Sequence, residues 1–373
     1  MRRPGAPRRW ARAALGSLVV AEVPDQGASA PPSPLPGDVR DDRDLAAEAE
    51  AEAAAAEFAE VVEELEDADL APSVVAVVVV HDAGPWLEEG LRALDDQDYE
   101  ELDILVIDAG STVDPTERIA AACPDAFVHH LGRNPGFGPA ANAARGLVEG
   151  AAFYLLCHDD VALEQGAISA LVAEAYRTNS GVVGPKLVAW DNARELLQVG
   201  MGADKLGNPE SYVDVGEFDQ EQHDAVRDVF FIPGGATLVR ADLFDALGGF
   251  DPGIDLLGED LDLCWRAHVA GARVSVAPTA VARHVQALAD RRPEDDGRRL
   301  MARHRLRTML TCYTTPSLLR VVPQALFFTT LEVLYALIVG RGRQARDIGG
   351  AWLWNLRRLG QVRRRRKELK ALR

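Results

Sequence analysis

Cysteine is scarce in this chain, and the few cysteines present form no paired motif. Cys123, Cys157, Cys264 and Cys312 are scattered along 373 residues without a CxxC pair, and three of them lie in apolar segments. This spacing argues against a zinc site and favours reduced, structural thiols in a cytosolic compartment. A GxGxxG sequence is also missing after the first predicted strand, which argues against a dinucleotide-binding dehydrogenase.

The amino-terminal segment lacks a clean secretory signal. Residues 1–12 are rich in arginine and residues 13–21 form a short apolar run, but Pro- and Asp-rich sequence follows without a clear cleavage site. We therefore interpret residues 1–44 as disordered. Residues 45–71 are rich in Ala and Glu and predict an acidic helix, which carries too much charge to lie in a core.

Charge is divided unevenly along the chain. The net charge is −18, yet residues 291–373 carry 20 Lys or Arg against 6 Asp or Glu, a net of +14, so the remainder sums to −32. A basic tail on an acidic protein suggests that the tail meets an anionic partner. No nucleic-acid reading motif accompanies the basic cluster, so we expect an anionic membrane surface and no nucleic acid.

Apolar, β-branched runs alternate with helical patterns after Ser73. Strands are predicted at residues 74–80, 102–107, 126–130, 153–157 and 182–188, and helices at residues 85–94, 114–122, 140–148, 164–176 and 258–270. Residues 191–228 look irregular. The alternation predicts an α/β domain over residues 72–290, with a mostly parallel sheet flanked by helices and its polar loops at one edge.

The apolar run at residues 153–157 ends on three polar residues, His158, Asp159 and Asp160. Two adjacent carboxylates repel each other, and a divalent cation such as Mg²⁺ or Mn²⁺ would compensate their charge and could also hold a substrate diphosphate. The alternative is a solvated acidic turn after a strand.

Other polar residues are expected at the same edge of the sheet. They end further strands, flank a Gly/Pro-rich loop or begin a helix: Asp82, Asp108, Asn134, Asn142, Glu259 and Asp260. Each has a structural alternative. Glu259 and Asp260 could merely cap their helix, Asn142 could bond the backbone, and His284 could lie on the surface of an edge strand.

Six segments in this order resemble the family 2 glycosyltransferases of the GT-A fold, near the bacterial rhamnosyl- and galactofuranosyltransferase branch. They are VVAVVVVHDAGPWL, ILVIDAGSTVDPT, NPGFGPAANAA, YLLCHDDV, PGGATLVRADLFDALGGFD and GEDLDLCWRAHVAGARV. The sequence departs from the family at two places. His81-Asp82 stands where the family has Asn-Glu or Asn-Gly, and Gly138 to Asn142 stands where it has Gly-Gly-Asn.

The resemblance implies roles for particular residues. Asp260 would be the general base with Glu259 beside it, and Asp160 and His284 would ligate the metal. The donor would be bound by His81, Asp82, Asp108, Asn134, Gly136, Asn142 and Asp159. The acceptor would lie beside Gly234, Gly235, Trp265 and Arg266.

The implied activity is transfer of a sugar from a nucleoside-diphosphate donor to a cell-wall or lipid-linked glycan by an inverting, metal-dependent enzyme. One alternative is a nucleotidyltransferase on a similar sheet, which would release pyrophosphate. Another is a catalytically silent glycan- or nucleotide-binding module. A silent module need not keep its catalytic carboxylates, so the presence of four of them argues against this last alternative: Asp159, Asp160, Glu259 and Asp260.

The basic tail, residues 291–373, contains an apolar stretch at residues 321–339 that would be ~28 Å long as a helix, just enough to span a hydrocarbon core. Glu332 near its middle makes spanning costly. We therefore expect amphipathic helices on the cytoplasmic face of the plasma membrane, in a peripheral protein or part of a larger membrane protein. Trp352, Trp354 and residues 363–366 would meet lipid. The alternative is a helical appendage packed on the domain.

Overall fold

The first strand, Val74–Val80 (β1), is an unbroken apolar run whose seven side chains are all buried. Successive side chains point to opposite faces of a strand, and alternate residues of β1 accordingly join two hydrophobic cores, one on each face of the sheet. A strand that is apolar on both faces needs cover on both sides. The structure, a computed structural model, describes residues 71–287 and 294–373, with side chains from Gly297 onward in the second range.

Two predicted segments fall almost wholly on undescribed residues. The disordered segment 1–44 and the acidic helix 45–71 lie outside the described residues, apart from Ala71. The predicted boundary between domain and tail, at residues 290 and 291, lies in the second undescribed stretch. The described chain from Pro72 to Arg373 forms one compact unit.

Strands and helices alternate through the first half of this unit. After β1 come α1 (Leu87–Asp95), β2 (Leu102–Asp108), α2 (Thr116–Ala122), β3 (Phe127–His130), α3 (Phe137–Ala141), α4 (Ala144–Leu147) and β4 (Phe153–His158). The single helix predicted at residues 140–148 is instead two short helices. Asn142 lies at the break, and its side-chain amide bonds the backbone of Phe250.

The second half is richer in strands than predicted. It contains β5 (Val161–Leu163), α5 (Ala167–Thr178), β6 (Ser180–Ala189), β7 (Asn192–Gln198), β8 (Met201–Ala203), β9 (Pro209–Ser211), β10 (Arg227–Asp228), β11 (Ala236–Arg240), α6 (Ala241–Ala246), α7 (Glu259–Val269) and β12 (Arg273–His284). Strands β7 to β10 occupy the stretch predicted to be irregular. They are short and largely exposed, so they lack the apolar alternation that identifies a strand.

Ten strands form one sheet in the order β10-β12-β6-β11-β4-β1-β2-β3, with β5 paired to β12 and β7 to β6. The α/β class is confirmed, but the expectation of a mostly parallel sheet is wrong. Strands β1 to β4 are parallel, whereas β11 runs antiparallel to both β4 and β6. Only two residues join β6 to β7, and a connection that short permits only antiparallel pairing.

Four helices complete the described chain: α8 (Glu294–Cys312), α9 (Thr315–Ile338), α10 (Gly342–Arg357) and α11 (Leu359–Lys370). Among described residues, α9 is the one helix long and apolar enough to cross a membrane, judged by length and composition. Arg366 on α11 donates hydrogen bonds to the carbonyl oxygens of Leu310 and Tyr313, at the carboxyl end of α8. A cation is favourable there because the helix dipole leaves that end negative.

Buried polar contacts join α8 to the sheet domain. Arg307 donates to both carboxylate oxygens of Asp251, at 2.8 and 2.9 Å, and both side chains are buried. The Nδ1 atom of His304 lies 2.9 Å from the carbonyl oxygens of Leu256 and Leu257. At α8, therefore, the tail has the contacts expected of an appendage packed on the domain.

We expect Arg307→Met to lower the free energy of unfolding by about 3–5 kcal/mol, because it leaves the Asp251 carboxylate buried without its partner. Arg364→Met is the matched control. It removes an ion pair to Glu368 that is exposed on both sides, so its cost should stay within about 1 kcal/mol. Urea unfolding measures both changes. Equal losses for the two variants would contradict the role of the buried pair.

Several tail residues predicted to meet lipid face inward instead. The Trp352 indole N–H donates to the Thr329 hydroxyl at 3.2 Å, and Trp354 stacks beneath the Arg358 guanidinium. Arg365 and Arg366 bond backbone carbonyl groups, so only the first two arginines of residues 363–366 are exposed. The sequence pattern misses this because the tail helices pack on one another and on the domain.

Candidate active site

The carboxyl ends of β1, β2 and β4 meet at one edge of the sheet. The parallel register sets Val80 beside Asp108 and Val79 beside His158, so the residues that follow these strands are neighbours. β12 reaches the same edge, because His284 at its end pairs with Val161 at the start of β5. In open α/β sheets, ligands bind at the carboxyl ends of the strands.

Three side chains at this edge could hold one metal ion: His158, Asp160 and His284. One ligand atom from each lies within 4.8 Å of the other two. The Asp160 Oδ1 atom is 3.2 Å from His284 Nε2 and 3.9 Å from His158 Nδ1. This Oδ1 is buried and accepts no well-aligned hydrogen bond from a described residue, which leaves a lone pair for a cation. We call these three residues the metal cluster.

The Asp160 carboxylate is fixed and ionised. Its second oxygen, Oδ2, accepts a hydrogen bond from the Ala287 N–H at 2.8 Å. Burial alone would raise the pKa of this carboxyl, but the nearby His284 and His158 rings and the Ala287 N–H together hold it well below its usual range.

Gly234 and Gly235, predicted on the acceptor side, lie against the metal cluster. A Cβ atom on Gly234 would lie 3.0 Å from Cε1 of His158, and one on Gly235 would lie 3.3 Å from Nδ1 of His284. Gly235 also has φ +137°, a conformation that favours glycine. The two glycines therefore leave room for the two imidazole rings.

Glu259 and Asp260 begin α7 one glycine away from the metal cluster. Asp260 Oδ2 accepts a hydrogen bond from the Gly234 N–H at 2.9 Å, and its Oδ1 accepts one from the Leu261 N–H at 2.7 Å. Asp260 is half-buried, whereas Glu259 is buried, and its Oε2 accepts no hydrogen bond from a described residue. The geometry leaves Asp260 as the more accessible carboxylate of the pair.

Burial raises the pKa of both carboxyls. For Glu259, the negative charge of Asp260 raises the pKa further. For Asp260, the raising effect of burial exceeds the lowering effect of the backbone N–H groups that bond its carboxylate. A carboxylate with a raised pKa is a stronger base than an exposed one, which suits a group that takes up a proton.

A cleft of about 150 Å³ lies on the β1 side of the metal cluster. Four of the predicted donor residues line it, His81, Asn134, Gly136 and Asp159, together with His158, Asp160 and Leu256. Gly136 has φ +96°, and a Cβ atom there would lie 1.9 Å from the carbonyl oxygen of Asp255. Only glycine fits this close approach. We call this cavity the donor cleft.

Three other predicted donor residues do not line the donor cleft, and their side chains are bonded by protein groups. Asp82 is exposed and accepts a hydrogen bond from the Thr112 N–H. Asp108 is bonded by the Ser111 N–H and lies 3.0 Å from the His130 ring. Both ends of the Asn142 amide bond the Phe250 backbone, which is the structural alternative considered for this residue.

Trp265 and Arg266, predicted on the acceptor side, are both buried, and neither lines the donor cleft or the space beside Glu259 and Asp260. Arg266 is fully buried, where it pairs with Asp262 at 2.7 Å and bonds the Leu247 carbonyl oxygen. Trp265 is buried against Phe230 and Tyr313. The tail packs against α7, and all residues of this helix from Leu261 to Ala267 are buried.

Sequence reasoning misses two residues at this site. His158 is the last residue of β4 and receives no role, although Asp160 follows it within a two-residue turn and therefore stays close to it. That spacing is an available signal. Phe137 packs edge-on against the His158 ring, with ring centroids 4.4 Å apart, and separates the donor cleft from Glu259 and Asp260. Its place in a Gly/Pro-rich loop gives no comparable signal.

A protein-family model described as "Glycosyltransferase like family 2" matches residues 71–311 of this chain. The matched span contains the metal cluster, the donor cleft, the acidic pair at the start of α7, and α8 as far as Thr311.

Two curated proteins of Mycobacterium tuberculosis are similar in sequence. A pre-mycofactocin glycosyltransferase is 28% identical over 188 residues, which cover 49% of this chain and 37% of the relative. An N-acetylglucosaminyl-diphospho-decaprenol L-rhamnosyltransferase is 28% identical over 250 residues, which cover 61% of this chain and 80% of the relative. The match thus spans little more than a third of the first relative.

Solved structures of glycosyltransferases are also similar. GalNAc-T7 with UDP, GalNAc and Mn²⁺ has a TM-score of 0.49 and 17% identity, over 57% of this chain and 43% of that one. A mannosyltransferase from Pyrobaculum calidifontis in complex with GDP-Man and Mn²⁺ has a TM-score of 0.47 and 16% identity, over 82% of this chain and 87% of that one.

Proposed function

This chain belongs to glycosyltransferase family 2, and from that membership we propose that it is an inverting, metal-dependent enzyme acting on a lipid-linked or cell-wall glycan. Its donor would be a nucleoside-diphosphate sugar. The membership favours this function over the nucleotidyltransferase and over the silent binding module.

The observation that carries the proposal is the closeness of the metal cluster to Asp260. Gly234 lies against the His158 ring on one side and donates its N–H to the Asp260 carboxylate on the other. A donor diphosphate at the metal cluster and an acceptor hydroxyl at Asp260 would therefore lie on either side of one peptide unit. Sugar transfer needs these two groups at that proximity.

Different residues of the site would perform the separate tasks of an inverting displacement. A divalent cation on the metal cluster would stabilise the negative charge that develops on the departing nucleoside diphosphate. His81 and Asn134 line the donor cleft and would position the nucleotide. Asp260 would take the proton of the attacking acceptor hydroxyl. One base suffices for inversion, because the hydroxyl attacks the anomeric carbon directly and no covalent enzyme intermediate forms.

The ligand atoms of the metal cluster favour Mn²⁺ over Mg²⁺. Mg²⁺ prefers oxygen ligands throughout its shell, whereas imidazole nitrogen suits the transition metals better. Two imidazoles and one carboxylate would therefore bind Mn²⁺ more tightly. Waters and the donor diphosphate would complete its coordination.

The test is a screen of nucleotide sugars with the full chain and Mn²⁺ or Mg²⁺, which measures the nucleoside diphosphate released. We expect release from one donor class, faster with Mn²⁺. Asp103→Asn is a suitable control, because Asp103 is exposed near the start of β2, at the opposite edge of the sheet from the site. No release from any donor with either cation would contradict the proposed function.

We further propose that α9 holds the enzyme on the cytoplasmic face of the plasma membrane. Large apolar side chains of α9 are exposed, namely Leu319, Leu326, Phe327, Phe328, Leu331, Leu334, Tyr335, Leu337 and Ile338. An apolar surface of this extent is unfavourable in water unless something covers it. Exposed arginines nearby, such as Arg320, Arg341 and Arg363, would add attraction to anionic lipid.

We expect the triple variant Phe327→Ser, Leu331→Ser, Leu334→Ser to lose at least about 100-fold in affinity for anionic vesicles, since each buried side chain of this kind contributes about 1.5–3 kcal/mol. Vesicle co-sedimentation measures this. Added salt should also weaken binding of the parent protein. Val113→Ser and Val215→Ser, which change exposed apolar residues outside the tail, are the controls. If the parent protein does not bind anionic vesicles at low salt, the membrane proposal is refuted.

A further inference from the structure

A cavity of about 260 Å³ lies between α11, the last helix of the tail, and the sheet domain. The domain side is formed by the end of α6 with the turn that follows it, and by Arg266 on α7. The tail side is formed by one face of α11, where Arg365, Glu368 and Leu369 recur at helical spacing. We call it the arginine cavity, because one arginine lines it from each side.

Arg266 has a hydrogen-bond donor that the protein does not use. The side chain is 1% exposed. Its Nε donates to Asp262 at 2.7 Å, and its Nη1 donates to the Leu247 carbonyl oxygen at 3.0 Å. The remaining nitrogen, Nη2, is buried and has no hydrogen-bond partner among the described residues. Asp262 therefore balances the charge of Arg266 but leaves a buried donor unfilled, which is unfavourable unless a ligand in the cavity accepts its hydrogen bond.

Arg365 also has an unused donor, and its existing contacts are long. Its Nη2 lies 3.3 Å from the Gly249 carbonyl oxygen and its Nη1 lies 3.2 Å from a Glu368 oxygen, whereas its Nε is buried and has no partner among the described residues. A Cβ atom on Gly248 would lie 2.9 Å from Nη1, so glycine leaves room for the guanidinium at this turn. Hydrogen bonds of this length are weak, and a ligand with better geometry could replace them.

The charges around the arginine cavity favour an anion. Glu368 is the one acidic residue among the described residues that line it, and its side chain is half-exposed. Its carboxylate is shared between Arg365 and the exposed Arg364, at 3.2 and 3.4 Å. Because Asp262 is paired with Arg266, one carboxylate faces two arginines on the tail side. One positive charge is thus left without a partner.

Two unused donors on opposite sides of a cavity suit a phosphate group. Phosphate has several acceptor oxygens and forms strong, charge-assisted hydrogen bonds with guanidinium groups. The cavity has the volume of about eight water molecules at ~30 Å³ each, so a phosphate with a small attached group fits. Leu247 and Leu369 line it as well, and such apolar surroundings strengthen the electrostatic attraction.

We propose that the arginine cavity binds a phosphate group through Nη2 of Arg266 and Nε of Arg365. The phosphate is either that of an anionic phospholipid headgroup or a free phosphate compound. A bound phosphate would join α11 to α7, the helix that begins with Glu259 and Asp260. This site goes beyond the proposed function, because the arginine cavity contains no residue of the metal cluster or of the donor cleft.

The test is calorimetric titration of inorganic phosphate into the full chain in excess chelator, which prevents phosphate from binding through a cation at the metal cluster. Arg365→Gln removes a charge-assisted hydrogen bond and should weaken phosphate binding about tenfold or more. Ala246→Glu places a negative charge at the exposed rim of the cavity and should also weaken it. The matched controls, Arg363→Gln and Ala120→Glu, change exposed residues that do not line the cavity, so both should bind phosphate like the parent.

Glu368→Gln distinguishes a phosphate site from a contact that only supports the fold. This variant frees Arg365 from its carboxylate, so we expect phosphate to bind about threefold more tightly. Loss of a merely structural contact would not raise the affinity. Phosphate should also raise the unfolding temperature of the parent, because it binds the folded chain, and should raise that of Arg365→Gln less.

A soluble phospholipid, dihexanoyl-phosphatidylglycerol below its micelle concentration, identifies the source of the phosphate. If it binds the parent more tightly than inorganic phosphate does, and Arg365→Gln weakens this binding, the ligand is a lipid headgroup. If it binds no more tightly, the ligand is a free phosphate compound. The proposal is overturned if neither compound binds the parent, or if Arg365→Gln and Ala246→Glu both leave the affinity unchanged. Neither measurement involves sugar transfer, so failure of the proposed function would be seen separately.

Discussion

The Asp260→Asn variant is expected to transfer sugar about 10²–10⁴ times more slowly than the parent protein. Asparagine keeps the size of the side chain, and its one amide oxygen can still accept the hydrogen bond from the Gly234 N–H, although its NH2 group cannot accept the one from the Leu261 N–H. It cannot take up the proton of the acceptor hydroxyl. Donor affinity and metal affinity should change little, because neither depends on this carboxylate. Transfer assays and donor calorimetry on the same preparation measure the two effects.

The dependence of transfer on pH gives a second readout of the same residue. Burial holds the pKa of Asp260 above its usual range, and only the ionised carboxylate can accept a proton. The transfer rate of the parent should therefore rise with pH through a midpoint above that of an exposed aspartate. The residual transfer by Asp260→Asn should lack this rise.

Glu259→Gln is the matched variant for this prediction. Glu259 begins the same helix but is buried, whereas Asp260 is half-buried, so Glu259 is a poorer candidate for contact with an acceptor. Its effect on transfer should be much smaller than that of Asp260→Asn. If Asp260→Asn transfers sugar at nearly the parental rate while Glu259→Gln does not, the base is Glu259.

The strands that build the site can be predicted because each is apolar on both faces. β1 and β4 end where the sequence turns polar, and these two endings are enough to place His81, Asp159 and Asp160 at one edge of the sheet. Strands β7 to β10 are not predicted, because they lie at the surface and are held in place by pairing with neighbouring strands. Their own sequences carry no periodic signal.

The roles of single side chains are harder to predict than their positions along the chain. Asn142 and Arg266 both fall in motifs shared with the family, yet their partners, the Phe250 backbone and Asp262, occupy them fully. The Asn142 side chain bonds the Phe250 backbone, 108 positions away, and a contact at that separation cannot be detected from the local sequence pattern. The tail illustrates the same limit, since Trp352 and Arg366 suit a membrane surface by type but are bonded inside the protein.

Replacing Asp160 should have the largest effect on donor binding. Asp160→Asn removes the one carboxylate of the metal cluster but keeps an oxygen that can accept the hydrogen bond from the Ala287 N–H. We expect Mn²⁺ affinity, measured by calorimetry on metal-free protein, to fall by about 100-fold or more, because a neutral amide oxygen is a much weaker ligand than an ionised carboxylate. Donor turnover at fixed Mn²⁺ should fall with it, and Asp103→Asn should leave both unchanged.

Each ligand of the metal cluster should contribute to the same affinity. His284→Asn and His158→Asn each remove one imidazole, so both should weaken Mn²⁺ binding and reduce the preference for Mn²⁺ over Mg²⁺, since an oxygen-richer set suits Mg²⁺ better. A variant of a residue that only supports the fold would not change this preference. Excess chelator should abolish donor turnover by the parent, and added Mn²⁺ should restore it. If turnover survives in excess chelator, the cluster of His158, Asp160 and His284 has a role other than metal binding, and the charge on the leaving group must be stabilised by protein groups instead.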